Sequence, residues 1–169
     1  TQSDSYIGDY VTIFGSSTRT DFKNEVIRLT NIERANTGGL LPLSYDPILE
    51  AAAQSHVEDM DSSGRYLAHT GSNGSTPGER IELAGYKAQW HVYEDGSKMY
   101  ISQENAASGQ RSPEEVVNGW MNSPGHRAAI LTPETKEIGV GFEIDDSDGN
   151  TYWIQTFGIP LAPGGDPYF

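Results

Sequence analysis

Four histidines are the first candidates for chemistry in this chain, because imidazole binds metals and exchanges protons near neutral pH. His56 falls on an apolar stripe with helical spacing, which predicts a core residue. His91 lies in a predicted hairpin among aromatic residues, which favours a structural or surface role. His69 and His126 differ, since each lies in a glycine-rich, turn-forming stretch, and functional groups concentrate on loops held by a scaffold.

Two carboxylates stand in surroundings that suggest a shared site with these two histidines. Glu79 lies at a predicted helix start, where serving the helix dipole is the simpler alternative. Glu104 precedes the small-residue run 105–109, where a partly buried charge needs a partner. Two imidazoles and two carboxylates would suit zinc or another divalent ion, with positions left open for water. The gaps of 10, 25 and 22 positions are common in sequences, so spacing alone leaves the question open.

Composition and missing motifs remove several classes of function. The chain has no cysteine, which excludes disulfides, thiolate catalysis and cysteine-ligated zinc. Its net charge of −13, from 24 acidic and 11 basic residues, opposes phosphate binding, so no nucleic-acid partner is expected. Neither His-Glu-x-x-His nor Gly-x-Ser-x-Gly occurs. The run 145–149 resembles a calcium loop, but Ile144 occupies the place of the first ligand, so a turn is predicted.

Apolar residues at three- and four-residue steps predict four helices. The first starts at a cap on Thr20 or Asp21 and ends at Gly38, and the second starts at Asp46-Pro47. A third, short helix is predicted over 77–84. The fourth begins at Ser112, with Glu115 closing a capping box.

Alternating apolar residues with Asp-Gly turns predict two hairpins, one over 90–101 and one with strands 138–144 and 152–159. The last strand is apolar on both faces, through Tyr152, Ile154, Trp153 and Phe157. A strand of this kind is covered on both sides. The expected fold class is therefore α+β, with a sheet between two helical layers.

One domain is expected over residues 21–160, with a polar extension before it (1–20) and an irregular tail after it (161–169). The extension carries an aromatic patch at Tyr6, Tyr10 and Phe14, expected to pack on the domain or lead into it. No run approaches the roughly 18 apolar residues of a membrane span, and no charged start precedes an apolar run. Neither a transmembrane segment nor a signal peptide is expected, so an exported protein would be present here in its mature form or in a trimmed form.

Four segments, in this order, carry a resemblance to a known family: HTGSNGSTPGERI, ENAASG, VVNGWMNSPGHRAAIL and EIGVGFEI. Over about residues 21–160 the chain resembles the CAP superfamily of cysteine-rich secretory, antigen 5 and pathogenesis-related 1 proteins. Its cysteine-free form is similar to bacterial members. The resemblance implies a three-layer α-β-α sandwich with a central, mostly antiparallel sheet, and a secreted, extracellular or cell-envelope location.

The resemblance also implies a cleft whose positions here are His69, Glu79, Glu104 and His126. The histidines would ligate zinc or another divalent metal, and the glutamates would orient them or the bound water. In a catalytic member, Glu79 or Glu104 would be the general base. The chain departs from the family in being longer before Glu104, where the 90–101 hairpin could partly roof the cleft.

Three functions remain open, because one fold and site can serve several roles. The first is an extracellular metal-binding module, not an enzyme, that recognises a lipid, sterol or cell-envelope component. The second is a metal-dependent extracellular hydrolase such as a peptidase, in which the metal lowers the pKa of its water. The third is a structural or adhesion domain whose four site residues only brace the fold.

Overall fold

The helices and strands are numbered here in chain order. The computed structural model describes residues 16–64, 66–96, 98–100 and 102–161. Its elements are α1 (Ser16–Asn36), β1 (Ser44–Tyr45), α2 (Pro47–Ser62), α3 (Pro77–Ala84), β2 (Trp90–Val92), β3 (Lys98–Tyr100), β4 (Ser102–Ser108), α4 (Pro113–Met121), α5 (Pro124–Ile130), β5 (Glu137–Ile144) and β6 (Thr151–Gly158). None of the described helices is long and apolar enough to cross a membrane. The aromatic patch at residues 6–14, the side chain of His91 and tail residues 162–169 lie outside the described parts.

The helix starts follow capping residues that the sequence indicates. Asp46 accepts hydrogen bonds from two backbone N–H groups in the first turn of α2, at 2.9 and 2.8 Å. Ser112 accepts from the N–H of Glu115 at 3.2 Å, as predicted for α4. The reciprocal bond of that capping box differs, because the Glu115 carboxylate accepts from the N–H of Arg111 at 2.8 Å rather than from Ser112.

The main sheet is mixed and has four strands in the order β1-β5-β6-β4. β5 and β6 form the predicted antiparallel hairpin, from Glu137 opposite Gly158 to Ile144 opposite Thr151. β4 pairs antiparallel with β6, and the short β1 pairs parallel with β5. The mostly antiparallel sheet is confirmed, and β4 lies at its edge. Strands β2 and β3 form a separate hairpin within the 90–101 segment.

Helices cover both faces of the sheet. On one face, α1, α4 and α5 bury the sheet residues Ile138, Val140, Phe142, Trp153 and Phe157. On the other face, α2 buries Ala106, Tyr152 and Ile154. Helix α3 packs beside α2, with Ile81 and Leu49 in one cluster. The α+β class and the three-layer sandwich are therefore confirmed, as is the prediction that β6 is apolar on both faces.

Two glycines of β5 set the distance between the sheet and α2. A Cβ on Gly139 would lie 2.0 Å from the backbone nitrogen of Glu50. A Cβ on Gly141 would lie 2.4 Å from the carbonyl oxygen of Ala53. Since no side chain fits at these separations, the backbone of α2 lies directly against β5.

The sequence-based boundaries differ from the structure at two helices. α1 begins at Ser16 rather than at a cap on Thr20 or Asp21, and its additional turn carries Arg19, which pairs with Glu143 of β5. The stretch after Ser123, expected to be a turn, is helix α5 with proline at its first position. One glycine costs a helix about 1 kcal/mol, and burial of the apolar end of α5 in the core offsets that cost.

Candidate functional site

A cavity of about 390 Å³ opens where β4 forms the edge of the sheet. Adjacent residues of a strand point to opposite faces, so Glu104 lies on the face covered by α2 and Asn105 on the face covered by α1, α4 and α5. Because β4 is an edge strand, side chains of both helical layers can meet around it. His69 reaches the cavity from the α2–α3 side and His126 from the α5 side, and both line it.

His69 lies in the loop between α2 and α3, as predicted. Its Nδ1 donates a hydrogen bond to Glu104 Oε1 at 2.9 Å. Since an ionised carboxylate only accepts, Nδ1 carries the proton in this bond and Nε2 is the ring atom left for a ligand. The imidazole is 53% exposed and the Glu104 side chain 2%. The hydrogen bond that His69 donates to Glu104 raises the pKa of His69, against the opposing effect of burial.

Arg80, which the sequence did not single out, joins these groups. Its Nη2 donates to Glu104 Oε2 at 2.8 Å and to the main-chain carbonyl of His69 at 2.9 Å. Its Nη1 donates to the main-chain carbonyl of Ser75 at 2.9 Å. Both oxygens of Glu104 are therefore engaged, one by His69 and one by Arg80. The sequence signal for this role is weak: a single arginine that follows a predicted site residue.

His126 lies on helix α5, and its backbone is held from the sheet. Asn105 Nδ2 donates to the main-chain carbonyl of His126 at 3.0 Å and to Gln155 Oε1 at 3.2 Å. Gln155 Nε2 donates to the hydroxyl of Thr30 in α1 at 2.7 Å, so a buried polar chain links α1 to the site. Burial lowers the pKa of His126, and the charge of His69 lowers it further. In the sequence, these polar contacts were indicated only by Asn105, a polar residue directly before Ala106.

Glu79 lies away from this cavity. Its carboxylate accepts from the N–H of Thr76 at 2.8 Å and from the Thr76 hydroxyl at 2.9 Å, and the Thr76 hydroxyl accepts from the Glu79 N–H at 3.3 Å. This complete capping box starts α3, and its bonds from Thr76 lower the pKa of Glu79. Glu79 lines a different cavity, of about 430 Å³, together with His56 and Asp59. The structure thus brings together three of the four predicted residues and gives Glu79 the helix-start role that the sequence also allowed.

The loop that carries His69 is tied to α2 by His56 and Asp59. His56 is buried, as predicted, and its Nε2 donates to the carbonyl of Ala68 at 2.8 Å. Asp59 accepts from the N–H of Ser72 at 2.8 Å, from the Ser72 hydroxyl, and from the hydroxyl of Tyr66 at 2.6 Å. Burial acts to raise the pKa of Asp59, but these hydrogen bonds outweigh it and hold that pKa well below its usual range.

The molecule is thus a small α+β domain: an α-β-α sandwich with a cleft of histidine and carboxylate side chains at the edge of its sheet. The chain belongs to the CAP, or cysteine-rich secretory protein, family: the model of that family matches residues 27–157. It is a cysteine-free member of the family.

Three bacterial proteins are similar to the chain. The uncharacterized protein YkwD of Bacillus subtilis (strain 168) is 34% identical over 136 residues, which are 80% of this chain and 46% of YkwD. An extracellular protein of Bacillus anthracis that contains an SCP domain superposes with a TM-score of 0.69 at 25% identity, over 83% of this chain and 41% of its own. An outer surface protein of Borrelia burgdorferi superposes with a TM-score of 0.65 at 26% identity, over 80% of this chain and 90% of its own. The chain spans about half the length of YkwD, so the similarity concerns the domain and not the activity of the longer protein.

Proposed function

We propose that this CAP domain is an extracellular binding module whose cleft holds a divalent metal ion on His69 and His126 and takes a polar component of the cell envelope. The bond from His69 Nδ1 to the buried carboxylate of Glu104 carries the proposal. It leaves Nε2 as the ligand atom, and it is the outer contact that metal-binding histidines usually have. The extracellular location is supported by the relatives described as an extracellular protein and an outer surface protein.

In this proposal, a metal ion in the cleft has two protein ligands. Among the described residues, no group of three or more histidine, aspartate and glutamate side chains is arranged to hold a metal. His69 and His126 supply two imidazoles, and nitrogen ligands of this kind suit zinc. A bound ion would supply a positively charged centre with open positions for oxygen groups of a ligand or for water.

The positions of the two glutamates favour binding over hydrolysis. A general base needs a free oxygen within reach of the attacking water. Both oxygens of Glu104 are engaged and its side chain is 2% exposed. Glu79 does not line this cavity, and its Oε2 accepts from Thr76 at the start of α3. Neither carboxylate is placed for the base role that a hydrolase would require, which supports a module without catalysis.

The cavity lining favours a small polar ligand over a lipid or a sterol. Besides the two histidines and Glu104, its lining consists of polar or small residues: Gln103, Asn105, Ser123, Gly125, Ala128 and Ala129. An acyl chain or sterol requires extended apolar walls, because burial of apolar area supplies most of its affinity. Sugar, peptide or carboxylate groups of the cell envelope therefore suit this cavity better.

Calorimetric titration of zinc into metal-free protein, prepared without a histidine tag, tests the metal site. We expect one zinc ion per chain in the wild type and no binding in the His69→Ala, His126→Ala double variant. Gln103→Ala is the matched control, since Gln103 lines the same cavity but offers no imidazole. It should bind zinc as the wild type does.

The other two functions predict different results. If the site residues only brace the fold, His69→Ala lowers the Tm of the metal-free protein, and the wild type and the double variant respond equally to zinc. That result would remove the cleft as a metal site. Peptide turnover that stops on addition of a chelator, and again in Glu104→Gln, would assign a hydrolase instead.

A further inference from the structure

We propose that Arg80 is the positioning residue of the metal site, because it fixes both the backbone of His69 and the carboxylate that orients the His69 ring. This inference rests on the proposed function, since it concerns His69 Nε2 as a metal ligand. Arg80 acts through Glu104 and the main chain and is not itself a ligand.

A single guanidinium nitrogen makes the two contacts that converge on His69. Arg80 Nη2 lies 2.9 Å from the His69 carbonyl oxygen and 2.8 Å from Glu104 Oε2. The first contact fixes the position of the His69 backbone. The second holds the carboxylate whose other oxygen accepts from His69 Nδ1 at 2.9 Å. With its backbone and one ring nitrogen both held, the imidazole has one orientation, and Nε2 is its remaining ligand atom.

The same guanidinium connects His69 to Ser75, near the end of the loop that carries both residues. Arg80 Nη1 donates to the carbonyl of Ser75 at 2.9 Å, while Nη2 holds the carbonyl of His69. The Arg80 side chain is 8% exposed, so water competes little for these bonds. The capping box of Thr76 and Glu79 fixes the start of α3 and therefore the point from which Arg80 extends.

Lysine cannot reproduce these contacts. A guanidinium offers five donors in a fixed plane, whereas an ammonium group is a compact point charge on a flexible stem. Arg80→Lys would keep a positive charge near Glu104 but could not hold two carbonyl groups and the carboxylate at once. The substitution therefore separates the effect of charge from the effect of position.

The test compares Arg80→Lys with Arg34→Lys. Arg34 is a matched control, because it is 1% exposed and also donates to main-chain carbonyls, those of Leu41, Ile130 and Thr132, without contacting either site histidine. Zinc affinity is measured by calorimetry on protein whose folding is checked by circular dichroism. We expect Arg80→Lys to weaken zinc binding about 10- to 100-fold, which is typical when a residue that helps to orient a metal ligand is mutated. Arg34→Lys should lower the Tm and leave the affinity unchanged.

A second measurement needs no metal. The nitrogen-15 shifts of the His69 ring at about pH 9, where histidine is normally neutral, report which ring nitrogen carries the proton. We expect the Nδ1–H form in the wild type and in Arg34→Lys, and a mixture of both forms in Arg80→Lys. A residue that only stabilised the fold would change the Tm but not this ratio.

The outcomes separate this inference from the proposed function. If the wild type binds no zinc and the ring shifts still change in Arg80→Lys alone, the metal site is wrong but the positioning of His69 by Arg80 stands. Wild-type affinity together with an unchanged Nδ1–H form in Arg80→Lys overturns the inference, as does an equal loss of affinity in Arg34→Lys. Should Arg80→Lys not fold, Glu104→Gln tests the same link, and an unchanged ring in that variant overturns it.

Discussion

His69 and His126 are each held through the main chain, and His69 is also held through its ring. The carbonyl of His69 accepts a hydrogen bond from Arg80, and that of His126 accepts one from Asn105. Both donors are buried, and a buried polar group left unpaired costs on the order of 1–3 kcal/mol. Movement of either histidine would therefore leave a buried donor without its acceptor, and the cleft resists such movement.

His56 allows a test at the scale of a single residue. Burial lowers its pKa below the ordinary value of 6.5 and outweighs the raising effect of Glu104. Below about pH 6.5 the unfolded chain binds a proton at His56 that the folded chain does not, so stability falls as the pH falls. His56→Gln keeps a donor toward Ala68 and removes this titration. With a chelator present, we expect its free energy of unfolding in urea to fall less between about pH 7 and pH 5 than that of the wild type.

The other histidines are present in both proteins, so their contributions cancel in this comparison. His56→Gln is expected to be less stable than the wild type at pH 7, and only the dependence on pH decides the matter. Parallel curves for the two proteins would contradict the prediction.

At the scale of elements, the edge position of β4 and the glycines of β5 determine where the site lies. Because β4 has a sheet neighbour on one side only, the α2–α3 loop and α5 both approach it. Because Gly139 and Gly141 let α2 lie directly against β5, the distance between the sheet and the start of the loop after α2 is fixed. The helix carries His56 and Asp59, which hold that loop.

Gly141→Ala tests this close approach of helix and strand. The added Cβ would lie 2.4 Å from the carbonyl oxygen of Ala53, and neither backbone can yield without moving an element. We expect a loss of about 1–3 kcal/mol or more in the free energy of unfolding, the range for overpacked cores. Gly119→Ala in α4 is the control, since its Cβ would meet no atom within 4 Å; it should stabilise the protein by about 0.5–1 kcal/mol. A Gly141→Ala protein as stable as the wild type would show that α2 can shift freely.

At the scale of the whole molecule, the net charge of −13 limits how the protein can bind a surface. Anionic lipid attracts basic segments and repels an acidic protein. The one buried carboxylate of the cleft, Glu104, is paired with Arg80. Its negative charge is therefore balanced inside the cleft, whereas the molecule as a whole keeps a net negative charge. Under the proposed function, binding to the cell envelope would therefore come from the cleft and not from general attraction.

Co-sedimentation with purified, insoluble bacterial cell-wall fragments tests this expectation. We expect zinc-loaded protein to sediment with the fragments, a chelator to release it, and the His69→Ala, His126→Ala variant to remain in solution. Anionic phospholipid vesicles should bind none of these proteins. Vesicle binding that persists with chelator would contradict both the polar ligand and the role of the cleft.

Local patterns in the sequence were enough for most of the architecture. Asp46-Pro47 and Ser112-Pro113 mark helix starts because their capping bonds form within one turn of the chain. The two-sided apolar pattern of β6 requires cover on both faces, which is the three-layer sandwich. His56 was predicted to be buried from the helical period alone. The motifs around His69, Glu104 and His126 indicated the family and three residues that the structure brings to one cavity.

Only the tertiary structure decided what each of these residues touches. Glu79 and Glu104 were both candidates for the site from the sequence, yet one caps α3 and the other orients His69 from across 35 positions. Arg80 meets Glu104 across 24 positions, and Asn105 meets His126 across 21. Periodicity and capping rules describe residues within a few positions of each other. These contacts instead depend on how α2, α3 and α5 pack around the edge of the sheet, and this packing is set by the whole core.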